Sequence, residues 1–494
     1  MNKVYLVGAG PGDPELITLK GRRVLASADV VLYDHLAPRA LLAFAPPHAE
    51  RIYVGKKRAD HAVKQEEIIA LMIDHARRGN NVVRLKGGDP FIFGRGGEEV
   101  EALVEAGIPY EVVPGVTAPL GIAAYTGVPL THREHTSVVT FITGHDVAHI
   151  DWDCAGRSET LVIFMGLHHA AEIMHALLAA GREPNTPAMA VRWGTRSDQH
   201  TVVGTIATLA GRITDEHLLP PATIIIGDVV GLRDKLNWFE KLPLFGKQIV
   251  VTRARAQASE LSAKLRTLGA EPVEVPTIAL QALDDYSEVD AAIRELNTYD
   301  WIVFTSANAV EFFMDRLFHS PHDLRDLRAK ICAIGPATAA VVGTLHLNVD
   351  MMPADAVAES VVSAFQSVDV AGCHILLPRA ASAREVIPEA LRARGATVDV
   401  VDVYRNVVPE DSRHLAQEIF SRDRKPDWVI FSSSSTVKNL LAITPAESLR
   451  GVKIASIGPI TSKTVRMHGL DVAVEAEESS IDGVIEAICR ATRL

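Results

Sequence analysis

The residues best suited to chemistry in this chain sit where apolar strands run out into glycines. Val4-Tyr-Leu-Val-Gly-Ala-Gly-Pro-Gly-Asp13 places Gly8, Gly10 and Gly12 directly after an apolar run, the arrangement of a loop that cradles a nucleotide-type cofactor. A dinucleotide fingerprint needs a further glycine at position 13, where helix and strand pack closely, and Asp13 stands there. Pro11 and Pro14 also remove two backbone N–H groups that a pyrophosphate would use. The loop therefore suits a ligand with less negative charge than NAD. A second run, Val82-Val-Arg-Leu-Lys-Gly-Gly-Asp89 followed by Phe91-Ile-Phe-Gly-Arg-Gly-Gly-Glu-Glu99, is again a strand ending in glycines, then an acid, then a helix start. Metal chemistry is a weaker prospect. His132 and His135, His145 and His149, and the pair His168 and His169 have ligand-like spacings, but such spacing joins two imidazoles only on a helix, and Thr131 to His135 reads as a loop. No metal is expected.

The elements that must hold these loops are those of an α/β protein. At 494 residues the chain has room for two large domains or about three ordinary ones. Cys154, Cys332, Cys373 and Cys489 are scattered without a Cys-x-x-Cys pair, so neither a disulfide framework nor a zinc ribbon is indicated. No apolar run reaches the roughly 18 residues of a membrane span, and the N-terminus lacks a basic-then-apolar leader, so a cytoplasmic, soluble protein without a membrane partner is expected. A net charge of −11 argues against nucleic acid as a partner. A seam falls around Lys241-Leu-Pro-Leu-Phe-Gly-Lys247, and everything after it repeats. Phe304-Thr-Ser-Ala-Asn-Ala-Val310 recurs as Phe431-Ser-Ser-Ser-Ser-Thr-Val437, and Ala333-Ile-Gly-Pro-Ala-Thr-Ala339 as Ser456-Ile-Gly-Pro-Ile-Thr-Ser462, at offsets of about 125 residues. That length suits a duplicated α/β lobe, with parallel sheets, ligands at the strands' carboxyl ends and a cleft between two lobes.

The two glycine runs, with Pro114-Gly-Val-Thr-Ala118 and Gly127-Val-Pro-Leu-Thr-His-Arg133, resemble the uroporphyrinogen-III C-methyltransferases across about residues 1–240. The resemblance implies a two-subdomain methylase over 1–242, divided near 113, that uses S-adenosylmethionine to convert uroporphyrinogen III to precorrin-2 and leaves S-adenosylhomocysteine. It also implies a homodimer formed through this domain. Asp34 matches the family's proton acceptor and Lys56 its proton donor; a carboxylate and an amine at the ends of neighbouring strands can share a cleft. Their plainer roles are a helix-capping aspartate and a solvated lysine. Pro11, Gly87, Gly88, Asp89, Ile92, Thr117, Ala118, Met165 and Gly194 match the cofactor contacts, with Met165 alternatively core filler. Eight substrate carboxylates call for a basic cluster, for which Lys57, Arg58, His61, Arg84, Lys86, Arg95, His132 and Arg133 are candidates, above all Lys57, Arg95, His132 and Arg133. Ile69, Arg192 and Trp193 depart from the residues common in the family.

The duplicated half resembles uroporphyrinogen-III synthase over about residues 246–494. What this implies is two flavodoxin-like lobes, interleaved as 246–279 with 405–494 and 280–404, closing hydroxymethylbilane with inversion of the last pyrrole. Tyr404 matches a family tyrosine able to protonate the leaving hydroxyl. Thr305, Ser306, Asn308, Gly335, Thr338, Ser432, Ser433, Gly458 and Thr461 would meet substrate carboxylates, or serve as ordinary helix caps. Two other readings stay open: a methyltransferase carrying a noncatalytic tetrapyrrole- or anion-sensing clamp, and a nicotinamide dehydrogenase with Asp34 on the ribose, against which Asp13 and the prolines argue.

Overall fold

In the computed structural model, which describes residues 3–55, 64–253, 255–381, 383–422 and 424–493, the apolar run Val4–Gly8 forms strand β1 inside a parallel sheet. Its companions are β2 (Val30–Tyr33), β3 (Glu50–Tyr53), β4 (Val82–Lys86) and β5 (Tyr110–Val113), in the order β3-β2-β4-β1-β5. Alternate residues point to opposite faces. Val7, Val31, Val83 and Leu85 thus enter one core, and Val4, Leu6, Val30, Leu32 and Val82 the other. Both faces being covered explains why β1 and β2 read as continuous apolar runs. The chain leaves β1 toward β2 and leaves β4 toward β5, in opposite directions across neighbouring strands. That reversal opens a crevice at their carboxyl ends, where ligands of such sheets bind.

A second, mixed sheet follows: β6 (Val139–Thr143), β7 (Thr160–Phe164), β8 (Pro187–Arg192), β9 (His200–Thr205) and β10 (Ala222–Ile226), ordered β6-β7-β10-β8-β9. Only β6 and β7 pair in parallel; β10 runs antiparallel to β7 and β8. The helix Ala118–Thr126 links the two sheets and ends at Gly127, whose φ of 69° gives the left-handed stop.

The strands after the seam sort into two more sheets. One, ordered β12-β11-β18-β19-β20, joins β11 (Gln248–Val251) and β12 (Glu271–Glu274) to β18 (Trp428–Phe431), β19 (Lys453–Ser456) and β20 (Val474–Glu475). The other, ordered β13-β17-β16-β14-β15, holds β13 (Ala279–Gln281), β14 (Trp301–Phe304), β15 (Lys330–Ala333), β16 (His374–Ala380) and β17 (Thr397–Val407). The sequence repeat is a structural repeat. Trp301 pairs with Lys330 as Trp428 pairs with Lys453, and each lysine lies over its tryptophan ring, at 5.6 and 5.3 Å. The chain divides into two compact units, Met1–Ile249 with Ala263–Val273 and Ile488–Leu494, and Val250–Ser262 with Glu274–Ala487. Among the described residues no helix is long and apolar enough to cross a membrane.

Candidate active site

The loops after β1, β4 and β5 meet at the crevice. Gly10 and Gly88 bridge through N–H···O contacts of 3.3 and 2.7 Å, and a Cβ on Gly115 would lie 2.3 Å from Gly88 O and 2.7 Å from Gly8 Cα. Only glycine permits this approach. Asp89 clips the loops together, one carboxylate oxygen accepting from Phe91 N at 2.8 Å and the other from Gly115 N at 2.9 Å. Gly88 has φ +67°, and the space a side chain there would fill lies 3.6–3.9 Å from Thr117 and Ala118. Exposed apolar groups follow this loop, Ile92 and Phe93, and Phe93 packs at 4.9 Å against Phe164, whose neighbour Met165 is itself 53 % exposed. Met165 is therefore not core filler. Phe93, Arg95, Met165, Trp193 and Thr195 all have φ between 49° and 70°, backbone strain of the kind that gathers at ligand sites. A neutral rim, main-chain access and lone pairs left on Asp89 fit an adenosyl sulfonium ligand better than a dinucleotide.

Asp13 explains itself here. Its backbone N–H donates to Thr195 Oγ1 at 2.8 Å, and its carboxylate accepts from Tyr125 Oη at 2.5 Å and from Glu15 N at 2.9 Å, tying the first loop to the second sheet's side of the crevice. Burial, reinforced by Asp13, pushes the Tyr125 phenol well up. Pro11 packs against the helix at Gly121, and Gly194 against Ile122, each too close for an added Cβ. Trp193 sets its ring edge against His35 at 5.3 Å and carries Arg196 over its face at 4.4 Å. The Arg192 Nε atom is buried without a hydrogen-bond partner among the described residues, and Ile69 packs into the core beside the first sheet.

Asp34 follows β2 at the same crevice. Oδ1 accepts from Leu36 N at 3.0 Å and Oδ2 from Arg84 Nη2 at 3.1 Å, so the carboxylate is held by a turn on one side and a guanidinium on the other. Burial and the nearby Asp34 charge raise the pKa of the Tyr53 phenol. Lys56, Lys57, Arg58 and His61 lie outside the described residues. Arg84 and Lys86 are buried on the same face of β4 and turned onto Glu99, so both cations are already met by a carboxylate of the chain. Arg95 is exposed and forked on Glu98. Arg133 is exposed, whereas His132 is half-buried. His132 and His135 do come together, ring centroids 4.8 Å apart, because a tight turn rather than a helix closes them. No group of three or more ligating side chains is placed to hold a metal among the described residues.

In the second unit, Ser306 and Ser433 cap equivalent helices, accepting from Ala309 N at 3.0 Å and Thr436 N at 3.3 Å. Gly335 and Gly458 hold the equivalent N-cap positions before Pro336 and Pro459. Thr338 and Thr461 are buried in the first turns, under the surface rather than on it. Thr305 and Ser432 are half-buried at the loops, and Asn308 is half-buried in the first turn of the helix Ala307–Phe318. Tyr404 is only 5 % exposed; its ring stacks on Phe312 at 5.2 Å, and its hydroxyl lies 3.3 Å from Ser306 Oγ.

Residues 3–210 match the family of Tetrapyrrole (Corrin/Porphyrin) Methylases and residues 259–486 that of Uroporphyrinogen-III synthase HemD. The class is thus a tetrapyrrole methylase joined to a tetrapyrrole-forming synthase. The chain belongs to the HemD-type porphyrin biosynthesis proteins: it is 37 % identical over 492 residues to the porphyrin biosynthesis protein HemD of Ruminiclostridium josui, covering 98 % of this chain and 97 % of that one. It is also 41 % identical over 336 residues to the uroporphyrinogen-III C-methyltransferase of Bacillus subtilis, covering 67 % and 69 %. The uroporphyrin-III C-methyl transferase of Thermus thermophilus, solved with S-adenyl homocysteine, is 44 % identical and covers 47 % of this chain and all of its own, with a TM-score of 0.42. The protein is a bifunctional tetrapyrrole biosynthesis enzyme with S-adenosylmethionine-dependent uroporphyrinogen-III C-methyltransferase and uroporphyrinogen-III synthase domains.

Proposed function

We infer that the two activities act in sequence: the synthase closes hydroxymethylbilane to uroporphyrinogen III with inversion of the last pyrrole, and the methyltransferase methylates that product at C2 and C7 to give precorrin-2. The observation that carries this is the near full-length likeness to one relative across both family matches, in which the second domain's product is the first domain's substrate. We place the methyltransferase in residues 1–242 and the synthase in 246–494, the latter with lobes 246–279 plus 405–494 and 280–404. A homodimer through the methyltransferase domain and action in the cytoplasm belong to the same proposal.

The Gly87-Gly88-Asp89 loop, Thr117, Ala118, Ile92 and Met165 would hold the cofactor. When bound, S-adenosylmethionine supplies an electrophilic methyl on sulfur. The protein's part is alignment of the pyrrole β-carbon with that methyl, followed by removal of the proton whose loss restores conjugation. Asp34 accepts that proton, because the hydrogen bonds from Leu36 N and Arg84 fix its carboxylate at the crevice and leave lone pairs on both oxygens. Lys56 is the proton donor of the same scheme. In the synthase, Tyr404 Oη protonates the departing hydroxyl, and the paired helix starts at Ser306 and Ser433 receive substrate carboxylates. The test is mass spectrometry and isomer analysis of products from hydroxymethylbilane, with and without S-adenosylmethionine. Dimethylated product with the cofactor, and uroporphyrinogen III without it, are expected. Spontaneous-isomer product alone would remove the synthase role, and unmethylated uroporphyrinogen III with the cofactor present would remove the methylase role.

A further inference from the structure

Among the described residues, Glu99 is the one fully buried carboxylate beside the crevice that the chemistry above does not use. It lies in the first turn of the helix Gly96–Glu105 and is 0 % exposed. Its Oε1 atom accepts from Lys86 Nζ at 2.8 Å, Gln65 Nε2 at 3.0 Å and Arg84 Nε at 3.4 Å. The same Arg84 reaches from its other end to Asp34 Oδ2 at 3.1 Å and also donates to Leu85 O at 3.0 Å. One guanidinium therefore spans the distance from a buried carboxylate to the crevice carboxylate. A buried ion of this kind is costly unless every partner is in place, so it is poor evidence for stability and calls for another role. Its second oxygen has no hydrogen-bond partner among the described residues.

We propose that Glu99 is a positioning residue for methyl transfer, acting through Arg84 to hold the Asp34 carboxylate in the geometry in which it takes the substrate proton. The proposal rests on the reading of Asp34 as proton acceptor. A freely rotating guanidinium could follow Asp34 out of line; one pinned at Nε by Glu99 and at Nη1 by the Leu85 carbonyl cannot. Asp34 is held from the β4 side by this one guanidinium, and its charge also reaches Lys86 of β4 and Tyr53 of β3.

The test is a cycle of rates in the full chain with Glu99→Gln, Asp34→Asn and the double variant, read as kcat and KM for methylation. S-adenosylhomocysteine affinity by calorimetry reports whether the fold is intact. Glu99→Gln is expected to lower kcat by about 10- to 100-fold, the scale of a misaligned catalytic group. KM for the cofactor should stay within about two-fold while kcat falls, the split expected of a group that acts on alignment and not on binding. In the Asp34→Asn background the same change should cost less than about two-fold, since its target is gone. A kcat unchanged by Glu99→Gln, or an equal loss in both backgrounds, overturns the proposal and leaves Asp34's role standing. A near wild-type rate for Asp34→Asn instead overturns the reading beneath it. Should Glu99→Gln lose cofactor affinity and so fail to fold, Arg84→Lys carries the test, because it keeps the charge and breaks the span. It should reproduce the kcat loss with affinity unchanged, and a wild-type kcat in that variant overturns the proposal.

Discussion

Gly115→Ala bears directly on how the crevice is built. The new Cβ would sit 2.3 Å from Gly88 O and 2.7 Å from Gly8 Cα, both backbone atoms that no rotamer change can move aside. An ordinary carbon-to-oxygen contact is about 3.3 Å or more, so the loops after β1, β4 and β5 must part by roughly 1 Å. Overpacking of this kind costs about 1–3 kcal/mol. The displaced Gly115 N–H also weakens its bond to the Asp89 carboxylate, a charge-assisted bond whose loss adds about 1–2 kcal/mol. Together the change should destabilise the first sheet by about 2–5 kcal/mol, a large share of the ~5–15 kcal/mol typical of a domain. The assay is hydrogen exchange read by mass spectrometry, which separates peptides of β1, β4 and β5 from those of β14 to β17. Protection should fall in the first group and hold in the second, and S-adenosylhomocysteine affinity should drop with it. Protection within about 0.5 kcal/mol of wild type, with affinity unchanged, would refute the claim that main-chain contact at Gly115 and Gly88 shapes the cofactor cradle.

Asp34→Asn should leave cofactor affinity nearly intact while slowing methylation by roughly 10²–10⁴-fold; synthase turnover in the same chain should be untouched, and a near wild-type methylation rate returns Asp34 to a turn-forming role. Tyr404→Phe keeps the stacking on Phe312 and loses only the hydroxyl near Ser306. It should cost about 1 kcal/mol of stability and slow ring closure without abolishing it, and an unchanged rate and isomer ratio would make Tyr404 a packing residue. Lys20 and Lys3, hydrogen-bonded to Glu111, pull its carboxyl from the usual 4.5 down to about 2. A folded pKa below the unfolded one means that its stabilisation is present above pH 4.5 and lost as pH falls toward 2; denaturation curves of Glu111→Gln and wild type should converge over that window, and parallel curves would count against the pairing. Calorimetry with S-adenosylmethionine and with NAD should show binding of the first alone, and tight NAD binding would sink the cofactor assignment.

The glycine loops, the α/β class and the repeat beginning at Phe304 and Phe431 were legible because each is local: strand, glycine and cap follow one another along a few residues, and the repeated tryptophan-to-lysine pairing inherits its register from the repeated spacing. Asp13 in place of a glycine was equally plain, and with it the argument against a dinucleotide. Its use was not, because Tyr125 and Thr195 reach it from 112 and 182 residues away. Glu99 was missed because its partners stand on other elements, Lys86 and Arg84 on β4 13 and 15 residues before it and Gln65 34 before it, though a trace existed: Arg84 and Lys86 stand two apart, hence on one face, in a strand otherwise apolar enough to be buried, and two buried cations demand an anion. Read singly they were candidates for the basic cluster that the substrate carboxylates call for. The surroundings of Tyr404 and the joining of β11 and β12 to β18 through β20 were likewise decided by contacts far apart in the chain. Periodicity states which face of an element is apolar and is silent about which distant element covers it, so the glycine loops could be read from the sequence, while the buried charges behind Asp34 could be assigned only from the packed structure.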